Sequence, residues 1–125
     1  MMPPDPRFDG QGPEARWWDL LANGEFTVQS CTGCGSSQLP PTVVCRKCGG
    51  VAGALMRASG YGTVYSTTTV RERAGAYNVA IVELAEGPRL MSRIAGDPDA
   101  VQIGAAIRAR IEHAESPVLV FDIEE

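Results

Sequence analysis

The chain has 125 residues, with 15 acidic residues against 11 basic ones and a formal net charge of −4 at pH 7. This acidic balance, with a single lysine, argues against a nucleic-acid binder, which needs a basic face to neutralise phosphates. No apolar stretch approaches the roughly 20 residues that span a bilayer, so the composition predicts a cytoplasmic protein with no membrane partner.

Residues 1–12 precede the first periodic segment of the chain. They contain several prolines and show no hydrophobic periodicity, which predicts a flexible arm. They also lack the apolar run of a signal peptide. Without export, the reducing cytosol favours thiols or metal ligation over disulfides.

Residues 13–24 have the features of a short helix. Pro13 suits the first helical position, Glu14 the positive end of the helix dipole, and Gly24 a helix stop. The large apolar residues gather mostly on one side: Trp17, Trp18, Leu20 and Leu21. A helix this short is not stable alone in water, so this side either packs on the same chain or docks a partner. The candidate docking residues are Trp17, Trp18 and Leu21.

Two Cys-x-x-Cys-Gly motifs dominate residues 25–58, the predicted zinc ribbon. They occupy residues 31–35 and 45–49, and a Pro-Pro pair keeps the connection between them from forming a helix. Each motif predicts a zinc knuckle, a tight turn in which glycine lets the backbone point amides at the sulfurs. An alternating segment at residues 25–30 predicts the strand that enters the first knuckle.

Four cysteines at this spacing predict a tetrahedral zinc site, formed by Cys31, Cys34, Cys45 and Cys48. Four thiolates close the coordination shell, whereas catalytic zinc keeps one position for water or substrate, so the zinc is expected to be structural. Disulfides, free thiols, and a redox or iron–sulfur role are the alternatives.

Residues 59–125 predict a domain that is β throughout. Gly62 predicts a bend in the long first strand, which would let that strand pair in both halves of a barrel. Five strands of this kind fit a small closed barrel of the OB type. The predicted strands cover residues 61–70, 76–84 and 89–95, a fourth that begins at 103, and 117–122, with a polar turn at 71–75. The predicted fold class is therefore mainly β, with a short N-terminal helix and a zinc ribbon followed by a five-stranded OB-fold barrel.

The chain offers little catalytic chemistry. His113 is the only histidine and lies in a polar stretch that predicts an exposed hairpin turn. Glu83 and Glu86 flank a turn, while Asp97 and Asp99 lie in a loop, which is typical of solvated carboxylates. The sequence contains neither a nucleophile elbow nor a phosphate-binding glycine motif. These observations predict a binding or scaffold subunit without catalytic residues of its own.

Several motifs in fixed order resemble one known family. They are Trp17-Trp18-Asp19-Leu20-Leu21, the two knuckles with Pro40-Pro41 between them, Ser59-Gly60-Tyr61-Gly62-Thr63-Val64, and Val82-Glu83-Leu84-Ala85-Glu86-Gly87-Pro88-Arg89-Leu90. This order resembles the domain family of unknown function numbered thirty-five, whose members join a rubredoxin-like zinc ribbon to an acyl-CoA-associated OB fold. The resemblance runs from about residue 14 to residue 123.

The resemblance implies a function. Such proteins are similar to small non-catalytic subunits beside thiolase-like enzymes, namely thiolases, acyltransferases or aldolases that act on lipid or aromatic acyl-CoA. There the partner holds the reactive residues, and the OB domain helps bind or channel the CoA thioester. The resemblance therefore implies a heteromeric complex with a thiolase-fold enzyme, acyl-CoA as a ligand, and structural zinc.

Arginines are the candidates to meet CoA phosphates or partner carboxylates, because guanidinium forks suit both. They are Arg71, Arg73, Arg89 and Arg93; for each, the alternative is a solvated strand end. Two other functions stay open. One is a zinc-ribbon OB module that stacks nucleic-acid bases on Tyr61, Tyr65 and Tyr77, which the acidic charge disfavours, and the other is a free-standing acyl-CoA binder.

Overall fold

The computed structural model describes residues 12–113 and 115–124, so the predicted arm at 1–12 lies, apart from Gly12, outside the described residues. The chain divides into two compact units that meet between Arg57 and Ala58. Helix and a small sheet form the first unit, and a closed barrel forms the second. This is the mainly β fold that the sequence predicts. In the part of the chain described, no helix is both long and apolar enough to cross a membrane.

The first unit contains one helix, α1 (Pro13–Ala22), and a three-stranded antiparallel sheet. The strands are β1 (Thr27–Ser30), β2 (Ser37–Gln38) and β3 (Leu55–Arg57), in the order β2-β1-β3. The sequence pattern did not predict β2, because its two residues carry no strand propensity. It forms where the first knuckle turns the chain back along β1.

Close packing in this small sheet depends on one glycine. A Cβ atom at Gly53 would collide with the backbone carbonyl oxygen of Ser30. The core beside the sheet includes Leu21 and Val28, both almost fully buried. The strand that leads into the first knuckle is thereby packed against α1 on one side and held closely by the returning chain.

The second unit is a closed barrel of five strands. They are β4 (Tyr61–Glu72), β5 (Gly75–Leu84), β6 (Arg89–Ile94), β7 (Ala106–His113) and β8 (Pro117–Ile123). The strand order is β4-β5-β6-β8-β7, and β7 pairs back with β4. Every pair is antiparallel except β6 with β8. The predicted five-stranded OB barrel is therefore confirmed.

The long first strand of the barrel pairs on both sides at the glycine that the sequence pointed to, but the irregularity in its register with β5 lies further along, between Val64 and Ser66. Gly62 pairs with Leu84 on β5 and with Ile107 on β7, so β4 belongs to both halves of the barrel. A Cβ atom at Gly62 would lie 2.8 Å from the carbonyl oxygen of Glu83. Only glycine allows β5 to approach β4 this closely.

The predicted strand boundaries were wrong at two places in the barrel, the β4–β5 turn and the start of β7. β4 continues through Glu72 and pairs with Gly75, so the turn is confined to two residues instead of occupying 71–75. β7 begins at Ala106 rather than at 103. Ile103 is largely exposed and Gly104 has a φ of 90°, a turn conformation that ends the apolar pattern before the strand starts.

Candidate metal centre and surface sites

The two knuckles have the same backbone turn. In the first, the Gly35 N–H donates to the Cys31 carbonyl at 2.9 Å; in the second, the Gly49 N–H donates to the Cys45 carbonyl at 2.9 Å. The two glycines have φ values of 75° and 77°, in the left-handed region that other residues rarely adopt. The glycine after each motif therefore closes the turn that directs the sulfurs inward.

The four sulfur atoms converge on one point. All lie within 4.8 Å of one another, and two pairs, Cys31 with Cys48 and Cys34 with Cys45, have Sγ–Sγ distances of 3.7 Å. Zinc bound tetrahedrally at about 2.3 Å from each sulfur requires sulfur separations of about 3.8 Å. These distances fit zinc and are too long for the S–S bond of a disulfide, about 2.05 Å.

Hydrogen bonds prepare two of the thiols for ionisation. The Ser36 hydroxyl can donate to either sulfur, and its hydrogen bond is the main cause of the lowered pKa of Cys34 and of the lowered pKa of Cys45, which falls to about 5. The backbone N–H groups of Cys48 and Lys47 lower the pKa of Cys45 further. Thiolates are the form that binds metal, so this side of the centre is already arranged for it.

Crowding of sulfur atoms opposes ionisation of the last thiol. The Gly50 amide donates to Cys48 and lowers its pKa, but the sulfurs of Cys31, Cys45 and Cys34 together outweigh it and raise the pKa of Cys48 to about 11. Four neighbouring thiolates therefore need a cation among them. Zinc held by Cys31, Cys34, Cys45 and Cys48 would supply that charge, and its filled shell makes it a structural cross-link.

Side-chain amides link the two knuckles. The buried Gln29 donates to the Thr42 carbonyl at 2.7 Å and accepts from the Thr42 N–H at 3.0 Å and from Gln38 Nε2 at 2.7 Å. Gln38 in turn accepts from the backbone N–H of Arg46, next to Cys45, at 2.9 Å. The network thus positions the second knuckle. No local sequence signal identified these glutamines, because their partners are distant in the chain.

The three predicted docking residues of α1 have different environments. Trp17 is buried and its Nε1 donates to the Thr27 carbonyl at 2.7 Å, while Leu21 has no exposed surface. Trp18 remains 47% exposed and packs edge-on against Trp17 with the ring centroids 5.0 Å apart. Trp17 and Leu21 thus belong to the core of the first unit, and Trp18 is the residue of the three whose side chain is available to a partner.

A pocket of about 420 Å³ opens in the first unit beside this helix. Its lining consists of Arg16, Asp19, Leu20, Ala54 and Leu55. Apolar side chains from α1 and β3 thus share the depression with an arginine and a carboxylate. It is a second feature of this unit that a partner side chain could enter.

Two of the four predicted arginines lie on one face of the barrel. Arg89 stacks on Tyr65, with its Cζ 3.8 Å from the ring centroid, and Arg93 lies over Tyr77 at 4.8 Å. Between them on β6 is Met91, 69% exposed and paired with Ile81 of β5. We call Tyr65, Tyr77, Arg89, Met91 and Arg93 the arginine–tyrosine face.

The two arginines of this face differ in whether a carboxylate neutralises their charge. Arg89 Nε donates to Glu83 at 2.9 Å, and this hydrogen bond raises the pKa of the Arg89 guanidinium. Within the described part of the chain, Arg93 has no carboxylate within ion-pair distance. The Arg93 guanidinium is therefore the less neutralised of the two on this face.

The other two predicted arginines lie at the β4–β5 hairpin. Arg71 pairs with Asp99 at 2.8 Å, and Arg73 is exposed in the turn. His113 is the last residue of β7, paired with Pro117 and exposed. Among the described residues, the four cysteines are the group of ligand side chains close enough together to hold a metal ion.

Two family models match the chain in sequence order. Residues 18–52 match the model described as "ChsH2, rubredoxin-like zinc ribbon domain", and residues 56–112 match "ChsH2, C-terminal OB-fold domain". The matched segments cover the metal centre and most of the barrel.

Curated relatives are similar over most of this chain. A DUF35 domain-containing scaffold protein of Methanothermobacter thermautotrophicus is 32% identical over 97 residues, which cover 70% of this chain and 72% of the relative. A probable enoyl-CoA hydratase alpha subunit of Thermomonospora curvata is 31% identical over 99 residues. That match covers 74% of this chain but spans 31% of the length of the relative.

Solved structures share the architecture. The structure described as "Ltp2-ChsH2(DUF35) aldolase" has a TM-score of 0.80 and 28% identity, covering 93% of this chain and 97% of that one. A DUF35 protein of unknown function from Sulfolobus solfataricus has a TM-score of 0.69 at 18% identity, covering 94% of this chain and 90% of that one. The latter likeness concerns the fold alone.

Proposed function

This chain belongs to DUF35, the domain family of unknown function numbered thirty-five, and we propose from that membership that it is a non-catalytic accessory subunit of a thiolase-like enzyme that acts on acyl-CoA. The observation that carries the proposal is the pairing of a ChsH2-type zinc ribbon with a ChsH2-type OB fold, which also occurs in the aldolase named for Ltp2 and ChsH2. A relative named as an enoyl-CoA hydratase subunit supports acyl-CoA as the substrate class.

The positions of the reactive side chains support a role without chemistry of its own. The four cysteines converge on a site whose geometry fits a closed metal shell. His113 is exposed at the end of a strand. The catalytic residues of the complex would then belong to the thiolase-fold partner, in a hetero-oligomer in the cytoplasm.

We assign partner docking to α1 and its surroundings. An exposed tryptophan held edge-on against a buried one is preorganised, so it loses little side-chain entropy when covered. Trp18 has this arrangement on Trp17. A tryptophan that acts as a hot spot contributes at least about 2 kcal/mol to an interface, roughly 30-fold in Kd.

We assign contact with the CoA phosphates or with partner carboxylates to the arginine–tyrosine face. Stacking on Tyr77 holds the Arg93 guanidinium on the outer surface of the barrel. Without an intramolecular carboxylate, its donors can bind a phosphate or carboxylate oxygen. Met91 adds an exposed apolar surface beside it.

The test is recovery of the partner with tagged protein from the native host at moderate salt, followed by an assay of thioester formation or cleavage. We expect a thiolase-fold enzyme in the eluate. Trp18→Ala should reduce its recovery. Arg93→Ala should raise the KM for the CoA thioester or weaken the complex. Arg108→Ala removes a stacked arginine that is not a member of this face, on β7 over Tyr61, and should do neither.

Two results would overturn the proposal. Recovery of nucleic acid would favour the OB-fold nucleic-acid module. Recovery of this chain alone, together with direct binding of acyl-CoA when no partner is present, would favour a free-standing acyl-CoA binder.

A further inference from the structure

The two knuckles place different side chains at equivalent positions. The Cys31 N–H donates to the carbonyl of Ser36 at 2.8 Å, and the Cys45 N–H donates to the carbonyl of Gly50 at 2.9 Å. Ser36 and Gly50 each stand two residues after the second cysteine of their knuckle. The backbone plan is the same, so the hydroxyl of Ser36 is an addition that only the first knuckle has at this position.

That hydroxyl lies against sulfurs from both knuckles. Ser36 Oγ is 3.0 Å from Cys34 Sγ and 3.5 Å from Cys45 Sγ. A metal-bound thiolate has no proton to donate, so the hydroxyl must be the donor. Because it has a single proton, it donates to one sulfur at a time, and Cys34 is the nearer.

We propose that Ser36 is a positioning residue of the metal centre, whose hydroxyl bond to the Cys34 thiolate determines how firmly the centre retains its metal. Cys34 is exposed whereas Cys45 is buried, so water and protons compete for the metal ligand at Cys34. A donor that stabilises and orients this thiolate slows its detachment. Partners of this kind typically change metal affinity 10–100-fold.

The backbone provides a baseline for the size of the effect. The Ser36 N–H also donates to Cys34, just as the Gly50 N–H donates to Cys48. These amide bonds remain when the hydroxyl is removed. A variant without the hydroxyl should therefore still bind metal, but release it faster.

The experiment compares Ser36→Ala, Ser36→Thr and Ser37→Ala in the full zinc-loaded chain. Ser37 is the matched control, since its hydroxyl makes no hydrogen bond within the residues that the structure describes. Release of zinc to a chromogenic chelator is measured first, and the thiolate charge-transfer bands of the cobalt-substituted chain second. We expect Ser36→Ala to release zinc about tenfold faster or more and to shift the cobalt bands, with Ser36→Thr and Ser37→Ala close to the original chain.

A reverse variant tests the same idea by addition. A Cβ atom at Gly50 would lie 3.5 Å from Cys48 Sγ, an ordinary contact, so Gly50→Ser places a hydroxyl beside the other exposed thiolate without a collision. We expect Gly50→Ser to release zinc more slowly than the original chain. The double variant Ser36→Ala/Gly50→Ser should likewise release it more slowly than Ser36→Ala.

Two outcomes would overturn the assignment. One is zinc release from Ser36→Ala at the rate of Ser37→Ala. The other is release from Ser36→Thr as fast as from Ser36→Ala, which would mean that the side chain acts through its fit and not through its hydroxyl. Complete loss of metal from Ser36→Ala with retention by Ser36→Thr would support the proposal.

Discussion

The two units of this chain are stabilised in different ways. Strands of the first unit have two to four residues, and its knuckles are linked by four cysteines and a glutamine network. Strands of the barrel have six to twelve residues and enclose a continuous apolar core. A segment with little apolar area to bury relies on a metal cross-link, whereas the barrel relies on packing.

Removal of the metal should give the largest difference in stability between the two units. Zinc binding contributes roughly 10–16 kcal/mol to the folding of small metal domains, which is comparable to the whole stability of a typical domain, about 5–15 kcal/mol. A strong chelator, or Cys45→Ala, should therefore unfold the first unit and leave the barrel folded. Amide NMR signals from 27–57 should lose their dispersion while those from 61–113 keep it, and added zinc should reverse the effect of the chelator. Simultaneous loss of both sets would contradict the comparison.

A cavity in the core of the barrel should destabilise the second unit and leave the metal centre intact. Phe121 on β8 is fully buried, and Phe121→Ala should cost about 3–5 kcal/mol of barrel stability. Urea unfolding followed through barrel signals measures this loss. Ile123→Ala on the same strand, at a position that is 39% exposed, is the control and should cost much less. Zinc release should stay unchanged in both variants; faster release from Phe121→Ala would show that the core of the barrel also supports the metal centre.

The smallest of the three effects is expected from the glutamine network. Gln29→Ala leaves the N–H and carbonyl of Thr42 without their side-chain partner, a loss of about 1–3 kcal/mol. Faster hydrogen exchange at the amides of Thr42 and Arg46 should reveal it, together with faster zinc release. Gln102→Ala, at an exposed position in the second unit, should change neither. Unchanged exchange in Gln29→Ala would mean that the metal alone fixes the second knuckle.

Structural features that depend on a short stretch of sequence could be predicted. Cysteine spacing identified the metal ligands, and glycine placement identified the knuckle turns and the strand at Gly62 that pairs in both halves of the barrel, because each depends on a few neighbouring residues. The pattern on α1 showed that one side must be covered. It could not distinguish Trp17 from Trp18, since neighbouring residues on a helix point about 100° apart and either could have faced the core.

Features that join distant segments could not be predicted. Tyr65 meets Arg89 across the intervening strand β5, which requires the register of three strands. The hydroxyl of Ser36 meets Cys45 only after the two knuckles have come together. Serine is common in turns for local reasons, so its type alone gave no signal of this contact.

The pairing of β4 with both β5 and β7 also has a consequence for folding kinetics. β4 with β5 and β7 with β8 are hairpins of neighbouring segments, whereas Tyr61 pairs with Arg108 much later in the chain. Joining distant segments carries the larger loop-closure entropy, so we expect the hairpins to form early and the seam between β4 and β7 to close last. Contacts that form after the transition state affect mainly the unfolding rate. The pairing of residues 61–63 with β7 would then determine how long the closed barrel persists, more than how quickly it is reached.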